Sequence, residues 1–345
     1  MAKDRNQFVD IMRGIAMLLV VLGHTMTGCT TGAEKSFLFN IVWSLQMPLF
    51  ILISGYVTRY SREISDGSGL WKYVKRRTIA YLLPWVVWSF IVRGIIFGQS
   101  NFLNLKWLLW HMDSGYWFLA TIWTISMIFG VSTFVAKKLA KHSEIKMQMI
   151  TLILYLVGMG ALVAIGFVAD LSFFAIKLTL YYMPFYFVGY LYGQYRDRFL
   201  ETRWGKTVID VVVAICLAAW LLIITRFYLY TLPDNGVAII LRVASSITGC
   251  VAICGLCKGV FNNTAQNGLG GGMLRWSGVH SLEIYLTHYL LLCLLKMVEM
   301  PITGSLQGTL LMLSNYVLTV SLTLFAVKLI NSNKALRLVL YGNKE

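Results

Sequence analysis

The chain has 345 residues, of which 58% are hydrophobic and only 13% are charged, and its mean hydropathy is +0.69. Soluble domains carry roughly 25% charged residues, so this composition excludes an ordinary water-soluble enzyme. The net charge of +15 suits either a nucleic-acid-binding protein or a membrane protein with basic cytoplasmic loops. The positions of the charges decide between the two.

Apolar runs of about 20 residues, the length that crosses a bilayer as a helix, recur along the chain. They predict an all-α integral membrane protein with about ten transmembrane helices. The predicted spans lie at 9–28, 36–57, 77–98, 116–136, 147–168, 172–193, 207–230, 237–260, 277–297 and 307–330. The Trp-rich stretch 101–112 is too short to span and predicts a helix at the membrane interface.

The Lys and Arg residues are unevenly divided between the two sets of connecting segments. Of the 30, 21 lie in the segments that share a side with both termini, three lie in the opposite loops and six lie inside predicted spans. Because basic loops stay in the cytoplasm, we expect both termini to be cytoplasmic. The topology accounts for the basic charge, and we expect no nucleic-acid partner.

No linker rich in Pro or Ser divides the chain. The sequence therefore predicts a single membrane-embedded domain over residues 1–345, with no appended soluble domain. Among the six cysteines, only Cys29 is expected near the outer face, so no disulfide framework is predicted. Cys254 and Cys257 have a redox or zinc spacing, but their place in an apolar helix favours buried small side chains.

Ionisable residues inside the first predicted span indicate a functional site, because such groups are costly in lipid. Arg13 and His24 are eleven residues apart, so a helix places them on one face about 16 Å apart, with Asp10 within about 60° of both. A mid-membrane imidazole suits a general base or an acyl-accepting group. The alternative is an Asp10–Arg13 ion pair with His24 bonded to a neighbouring backbone. No zinc site is expected, because no further ligands accompany His24 on its helix.

The ninth predicted span carries a second set of polar residues. His288 is expected near the membrane midplane, at a depth comparable with His24, and Glu283 is expected nearer to the cytoplasm. Their five-residue separation turns them about 140° apart around a helix, so they do not both face one narrow cavity. Each is equally well explained as a hydrogen-bonded core residue.

Two sets of basic residues have both a topological and a functional interpretation. Lys75, Arg76 and Arg77 precede the third predicted span, where they follow the positive-inside pattern or hold a phosphorylated ligand. Four others lie just inside the outer ends of four spans, where they reach back to headgroups or form a ring that binds an anionic acceptor. These four are Arg93, Lys177, Arg226 and Arg242.

Five motifs occur in order along the chain. They are Asp10-x-x-Arg13-Gly14 followed by His24, Met47-Pro48-Leu49-Phe50, Lys75-Arg76-Arg77 before Leu83-Pro84, Tyr116-Trp117-Phe118-Leu119, and Ser281-x-Glu283-x-Tyr285-x-x-His288. Together they resemble the motifs of the acyltransferase-3 family of integral membrane acyltransferases. The branch that they resemble most is the sugar O-acetylase branch, of the fucose 4-O-acetylase-like type.

The resemblance implies transfer of an acyl group, usually acetyl, from cytoplasmic acyl-coenzyme A to a hydroxyl of an envelope or secreted glycan. It implies that the acceptor is a carbohydrate or a lipid-linked glycan and that no cofactor is permanently bound. It also implies a multi-pass protein embedded in the lipid of a bacterial inner membrane. Arg13 and His24 match the paired first-helix residues of the family. Lys75 and Arg77 match its Arg-x-Arg pair, with lysine in the first position. Direct transfer with His24 as base and prior acylation of His24 both remain open.

Two other classes of function remain as alternatives. Ten spans with buried charges also suit a transporter or flippase of an anionic or glycolipid substrate, although no inverted repeat is visible. A scaffold protein within an envelope-synthesis complex would make His24 dispensable. Consumption of acetyl-coenzyme A by the purified protein separates the transferase from the transporter.

Overall fold

Helices make up almost all of the part of the chain that the computed structural model describes. The protein is 85% helical, and the β pairing among its described residues is an isolated parallel bridge between Thr31 and Ile302. The all-α class predicted from the sequence is confirmed. The described residues are 6–61, 64–140, 143–261, 269–297 and 299–343.

The described residues form thirteen α-helices. The first six are α1 (Gln7–Cys29), α2 (Phe37–Tyr56), α3 (Gly67–Val86), α4 (Leu105–Trp110), α5 (Trp117–Leu139) and α6 (Glu144–Ala169). The next seven are α7 (Ile176–Leu200), α8 (Gly205–Arg226), α9 (Gly236–Val260), α10 (Leu269–Val279), α11 (Ser281–Thr287), α12 (Leu306–Asn331) and α13 (Lys334–Tyr341). Several begin at a polar side chain that accepts a backbone N–H of the first turn, which would otherwise lack a partner. These caps include Asn6, Ser36, Asp66, Ser143, Asn235 and Asn333.

Eight helices of the described chain are long and apolar enough to cross a membrane. They are α1, α2, α3 with its continuation, α5, α6, α8, α9 and α12. The two other predicted spans correspond to the tyrosine-rich α7 and to a helix that is broken between α10 and α11. The stretch 101–112 contains the six-residue α4, which is too short to span.

The helix that carries the third predicted span begins ten residues before that span. Asp66 caps α3, so the helix begins at Gly67 rather than at 77, and beyond Pro84 it continues as a π-helix over Val87–Ile96. The basic residues 75–77 therefore lie within the helix and not before it. Because the first ten residues of α3 are largely polar, a search for apolar runs does not detect where this helix begins.

The chain divides into two compact units. The first contains Met1–Val57 and Val188–Leu329, and the second contains Thr58–Phe187 and Ile330–Glu345. In the first unit, α1 packs against α2, α10 and α11, and α8 packs against α9. In the second, α5 packs against α3 and α6, and α13 packs against α3. The single membrane-embedded domain stays a prediction.

Candidate active site

Two histidines from distant parts of the chain face each other in the first unit. The ring centroids of His24, on α1, and His288, in the 3-10 turn that follows α11, are 5.5 Å apart, with an angle of 39° between the ring planes. His288 is buried at 1% exposure, whereas His24 is half-buried. The structure thus brings together two imidazoles that the sequence predicted separately.

The hydrogen bonds of His288 fix which ring nitrogen is basic. Its Nδ1 lies 3.0 Å from the carbonyl oxygen of Ile284, and a carbonyl can only accept, so we assign the ring proton to Nδ1. In the neutral imidazole Nε2 then carries the free lone pair. This atom is buried and has no hydrogen-bond partner among the described residues. As an acceptor, it can take a hydrogen bond, and then the proton, from a substrate hydroxyl.

His288 reaches α1 because the helix that carries it is broken. The continuous span predicted at 277–297 is wrong: the chain forms α10, bends at His280, forms the short α11 and ends in a 3-10 turn at Leu291. Leu292 is already extended. The segment after it is apolar enough to look like the rest of a span, so hydropathy alone does not reveal where the helix ends.

The end of this segment is tied covalently to α1. Cys29 and Cys293 form a disulfide with a Cα–Cα distance of 6.0 Å. The sequence predicted no disulfide framework, and this prediction is wrong for these two cysteines. Cys293 had been assigned to the interior of the ninth span, whereas the early end of the helix places it beside the end of α1. Cys254 and Cys257 are free.

Asp10 and Arg13 lie where α1 crosses α10. A Cβ atom at Gly278 would clash with the Asp10 carbonyl oxygen, and one at Gly14 with the Leu274 carbonyl oxygen, so glycines on both helices allow close contact. Asp10 is buried and Arg13 half-buried. Both have further interactions within the protein, and α1 places Arg13 on the face of His24, as predicted by the helical spacing.

Tyr289 contacts the histidine pair, and Glu283 is a buried carboxyl group on the preceding helix. Glu283 is buried at 5% exposure on α11, five residues before His288. Tyr289 contacts the His24 ring edge-on, with a centroid distance of 5.8 Å, and is 42% exposed. Tyr289 is not among the site residues predicted from the sequence, although it directly follows the candidate residue His288. An exposed ring beside a basic imidazole offers a face on which a sugar can pack.

The basic residues of α3 belong to the second unit. Lys75 and Arg76 are exposed, and Arg77 is half-buried. Arg77 Nη1 donates to the Tyr81 hydroxyl at 2.9 Å, and its guanidinium lies 5.4 Å from the Tyr73 ring centroid. Its Nε is buried and has no hydrogen-bond partner among the described residues. This arginine can donate to a further acceptor.

The four basic residues assigned to the acceptor have different surroundings. Arg242, in the first unit, pairs with Asp234 at 2.8 Å and donates to the carbonyl oxygens of Leu229 and Leu232. Arg93, in the second unit, is buried and donates to Gln99. Arg226 and Lys177 are exposed, the first in the first unit and the second in the second. Their role toward an acceptor stays a prediction.

Known proteins resemble this chain over most of its length. A family model described as an acyltransferase domain matches residues 6–328. The nodulation protein NolL of Mesorhizobium japonicum is 25% identical over 233 residues, which cover 63% of this chain and 57% of that protein. NolL of Sinorhizobium fredii is 22% identical over 218 residues, which cover 56% and 50%. The chain thus spans about half the length of these curated relatives. No solved structure matches it.

Proposed function

The chain belongs to the acyltransferase-3 family, and on that premise we propose that it is a membrane O-acetyltransferase. The donor is cytoplasmic acetyl-coenzyme A, and the acceptor is a hydroxyl of an envelope or secreted glycan, free or linked to a lipid. No cofactor stays bound between turnovers. The protein acts as a multi-pass enzyme in a bacterial inner membrane.

The observation that carries this proposal is the pair formed by His24 and His288. An acyl transfer to a hydroxyl needs a base near the attacking oxygen. The ring centroids of His24 and His288 lie 5.5 Å apart, and Nε2 of His288 has no hydrogen-bond partner among the described residues. In this proposal the acceptor hydroxyl binds beside the histidine pair.

In direct transfer, an imidazole removes the proton of the acceptor hydroxyl while the oxygen attacks the thioester carbonyl carbon. The carbon–sulfur bond then breaks, and the departing thiolate of coenzyme A takes up the proton. In the two-step alternative, a histidine nitrogen attacks the thioester carbonyl carbon, and the thiolate of coenzyme A leaves with the proton of that imidazole. The acceptor hydroxyl then attacks the acetyl carbon, the carbon–nitrogen bond breaks, and the proton of the hydroxyl returns to the imidazole. The arrangement of the rings is compatible with both routes.

The other residues of α1 serve the donor in this proposal. Arg13 lies on the His24 face of α1, nearer to the predicted cytoplasmic end, where it can contact the thioester end of the donor. In this proposal Asp10 and Glu283 position the polar side chains that surround the bound donor. We assign the phosphates of coenzyme A to the basic residues of α3 in the second unit, Lys75, Arg76 and Arg77.

The proposal is tested with purified protein in detergent, acetyl-coenzyme A carrying an isotope in the acetyl group, and a total glycan extract of the host envelope. Mass spectrometry measures free coenzyme A and label in the glycan. We expect both to rise with wild-type protein and neither with His24→Ala. A transporter would leave the donor intact. No donor consumption by well-folded wild-type protein, with and without extract, would refute the proposal.

A further inference from the structure

Two cysteines follow the two histidines at the same distance along the chain. Cys29 comes five residues after His24, at the end of α1, and Cys293 comes five residues after His288. Their side chains are buried and joined as a disulfide. The bond therefore links the two histidine-bearing segments just beyond the imidazole rings.

The backbone around this bond is shaped to accept it. A Cβ atom at Gly28 would lie 2.8 Å from Cys293 Sγ, so the glycine leaves room for the sulfur against α1. Cys293 has a φ of +53°, in the left-handed region that is unfavourable for a residue with a Cβ atom. Such a conformation persists where surrounding contacts fix it, and the covalent bond supplies one of them.

Hydrogen bonds from α12 hold the same segment from its other side. Asn315 is fully buried, and its amide accepts from the backbone N–H of Leu295 and donates to the carbonyl oxygen of the same residue, both at 2.9 Å. Thr319 donates to the carbonyl oxygen of Leu291 at 3.0 Å. The segment after His288 is thus attached to α12 by hydrogen bonds and to the end of α1 by the disulfide.

A second attachment to the α1 side lies further along the chain. Thr31 donates its backbone N–H to Pro301 and accepts from the N–H of Thr303, both at 3.0 Å. This pairing follows Cys293 by eight residues or more, so it cannot fix the ring of His288 as closely as the disulfide does. Of these two attachments to the α1 side, the sulfur–sulfur bond is the nearer in sequence to His288.

We propose that the Cys29–Cys293 disulfide is a positioning element that sets His288 against His24, and that full turnover requires it to be oxidised. The bond forms by thiol–disulfide exchange with a partner disulfide of the thiol-oxidoreductase class. One cysteine thiolate attacks that disulfide, and the other then displaces the partner, which leaves as a dithiol carrying the two electrons. The inference rests on the proposed transferase function.

The disulfide also indicates the side from which the acceptor approaches. Such bonds persist in oxidising, extracytoplasmic compartments and are rare in the cytoplasm. The bond lies at the C-terminal end of α1, opposite the end with Asp10 and Arg13. The histidine pair is therefore nearest to the extracytoplasmic side, and a glycan hydroxyl reaches it from there while the donor arrives from the cytoplasm.

The test uses the full chain in nanodiscs and measures kcat and KM for acetyl-coenzyme A separately. We expect Cys29→Ser/Cys293→Ser to lower kcat about tenfold to a hundredfold with KM changed less than twofold. Cys216→Ser, a half-buried free cysteine of the same unit, is the matched control and keeps wild-type kinetics. If the disulfide only stabilised the fold, the double variant would have a lower melting temperature than wild-type protein, and the kcat of its folded fraction would be unchanged.

A reduction experiment covers the case in which the double variant does not fold. Folded wild-type protein treated with a phosphine reductant should lose the same fraction of kcat and regain it with oxidised glutathione, while Cys216→Ser behaves identically. A kcat equal to that of wild-type protein, either in the double variant or in protein whose reduction is verified by peptide mapping, would overturn the disulfide proposal and leave the proposed function standing. An absence of turnover in oxidised wild-type protein overturns the proposed function and this inference together.

Discussion

The imidazole rings of His24 and His288 face each other at 5.5 Å, although the two residues come from opposite ends of the chain. Three features of the first unit surround this contact: the glycine-mediated crossing of α1 and α10, the bend at His280 between α10 and α11, and the disulfide beyond both rings. Each of these features can be changed separately, so the contribution of each to the histidine pair can be measured.

Removal of either imidazole should abolish transfer without unfolding the protein. We expect His24→Ala and His288→Ala each to lower kcat by about 10²–10⁴, the usual cost of a lost general base. His111→Ala is the control, because that exposed ring stacks on Trp107 in the second unit. Release of coenzyme A by each folded variant measures the effect. Near-normal turnover in His24→Ala would remove this residue from the mechanism.

Neutral residues in place of the α3 basic group should weaken donor binding. Charge-assisted hydrogen bonds contribute about 1.5–3 kcal/mol, so Arg77→Gln should raise the KM for acetyl-coenzyme A roughly tenfold to a hundredfold. Added salt should raise KM through the exposed Lys75 and Arg76, because exposed charges are screened. Steady-state kinetics measures both effects.

The control for the donor prediction is Lys146→Gln, an exposed basic residue of the same unit, which should leave KM unchanged. If a triple Gln variant at 75, 76 and 77 binds acetyl-coenzyme A as wild-type protein does, these residues only set the membrane topology.

The α1–α10 crossing should tolerate no side chain at Gly278. A Cβ atom added at this position would overlap the Asp10 carbonyl oxygen. Neither atom can move without moving a helix backbone, so we expect Gly278→Ala to destabilise the protein by about 1–3 kcal/mol. Gly272→Ala is the matched control on the same helix, because nothing lies within 4 Å of its added Cβ. The control should be neutral or gain up to about 1 kcal/mol. Thermal unfolding in detergent gives both values, and equal stability of the two variants would contradict this packing.

Arg226 and Arg242 should respond differently to substitution. Arg242→Gln removes two hydrogen bonds to carbonyl oxygens and an ion pair with the largely exposed Asp234. The exposed pair contributes little, about 0–1 kcal/mol, so the bonds to the carbonyls dominate the expected loss of stability. Arg226→Gln is the cleaner test of an anionic acceptor site: we expect reduced transfer to glycan with unchanged slow hydrolysis of acetyl-coenzyme A. Equal transfer by this variant would leave Arg226 as a headgroup-facing residue.

The sequence identified α1 and its polar stripe well because both depend on local properties. An apolar run bounded by a cap predicts the helix, and the eleven-residue spacing alone places Arg13 and His24 on one face. The family motifs identified the same residues. Glu283 and His288 were also recognised as unusual in an apolar segment, and both are buried.

The remainder of the site depends on tertiary contacts that a hydropathy pattern does not contain. The helix ends at Leu291 while the apolar composition continues, so Cys293 was assigned to a span. Its bond to Cys29 requires the chain to turn at a left-handed residue and to pass Gly28. The bonds of Arg242 likewise lead to a loop between α8 and α9 whose position is set by folding.

The most direct test of the account compares glycans from cells that carry wild-type protein, His24→Ala or His111→Ala at equal membrane abundance. Mass spectrometry of the envelope and secreted glycans measures the mass increment of one acetyl group. We expect the increment in cells with wild-type protein and with His111→Ala, and no increment in cells with His24→Ala. An equal increment in cells carrying His24→Ala would contradict the claim that the histidine pair performs the transfer.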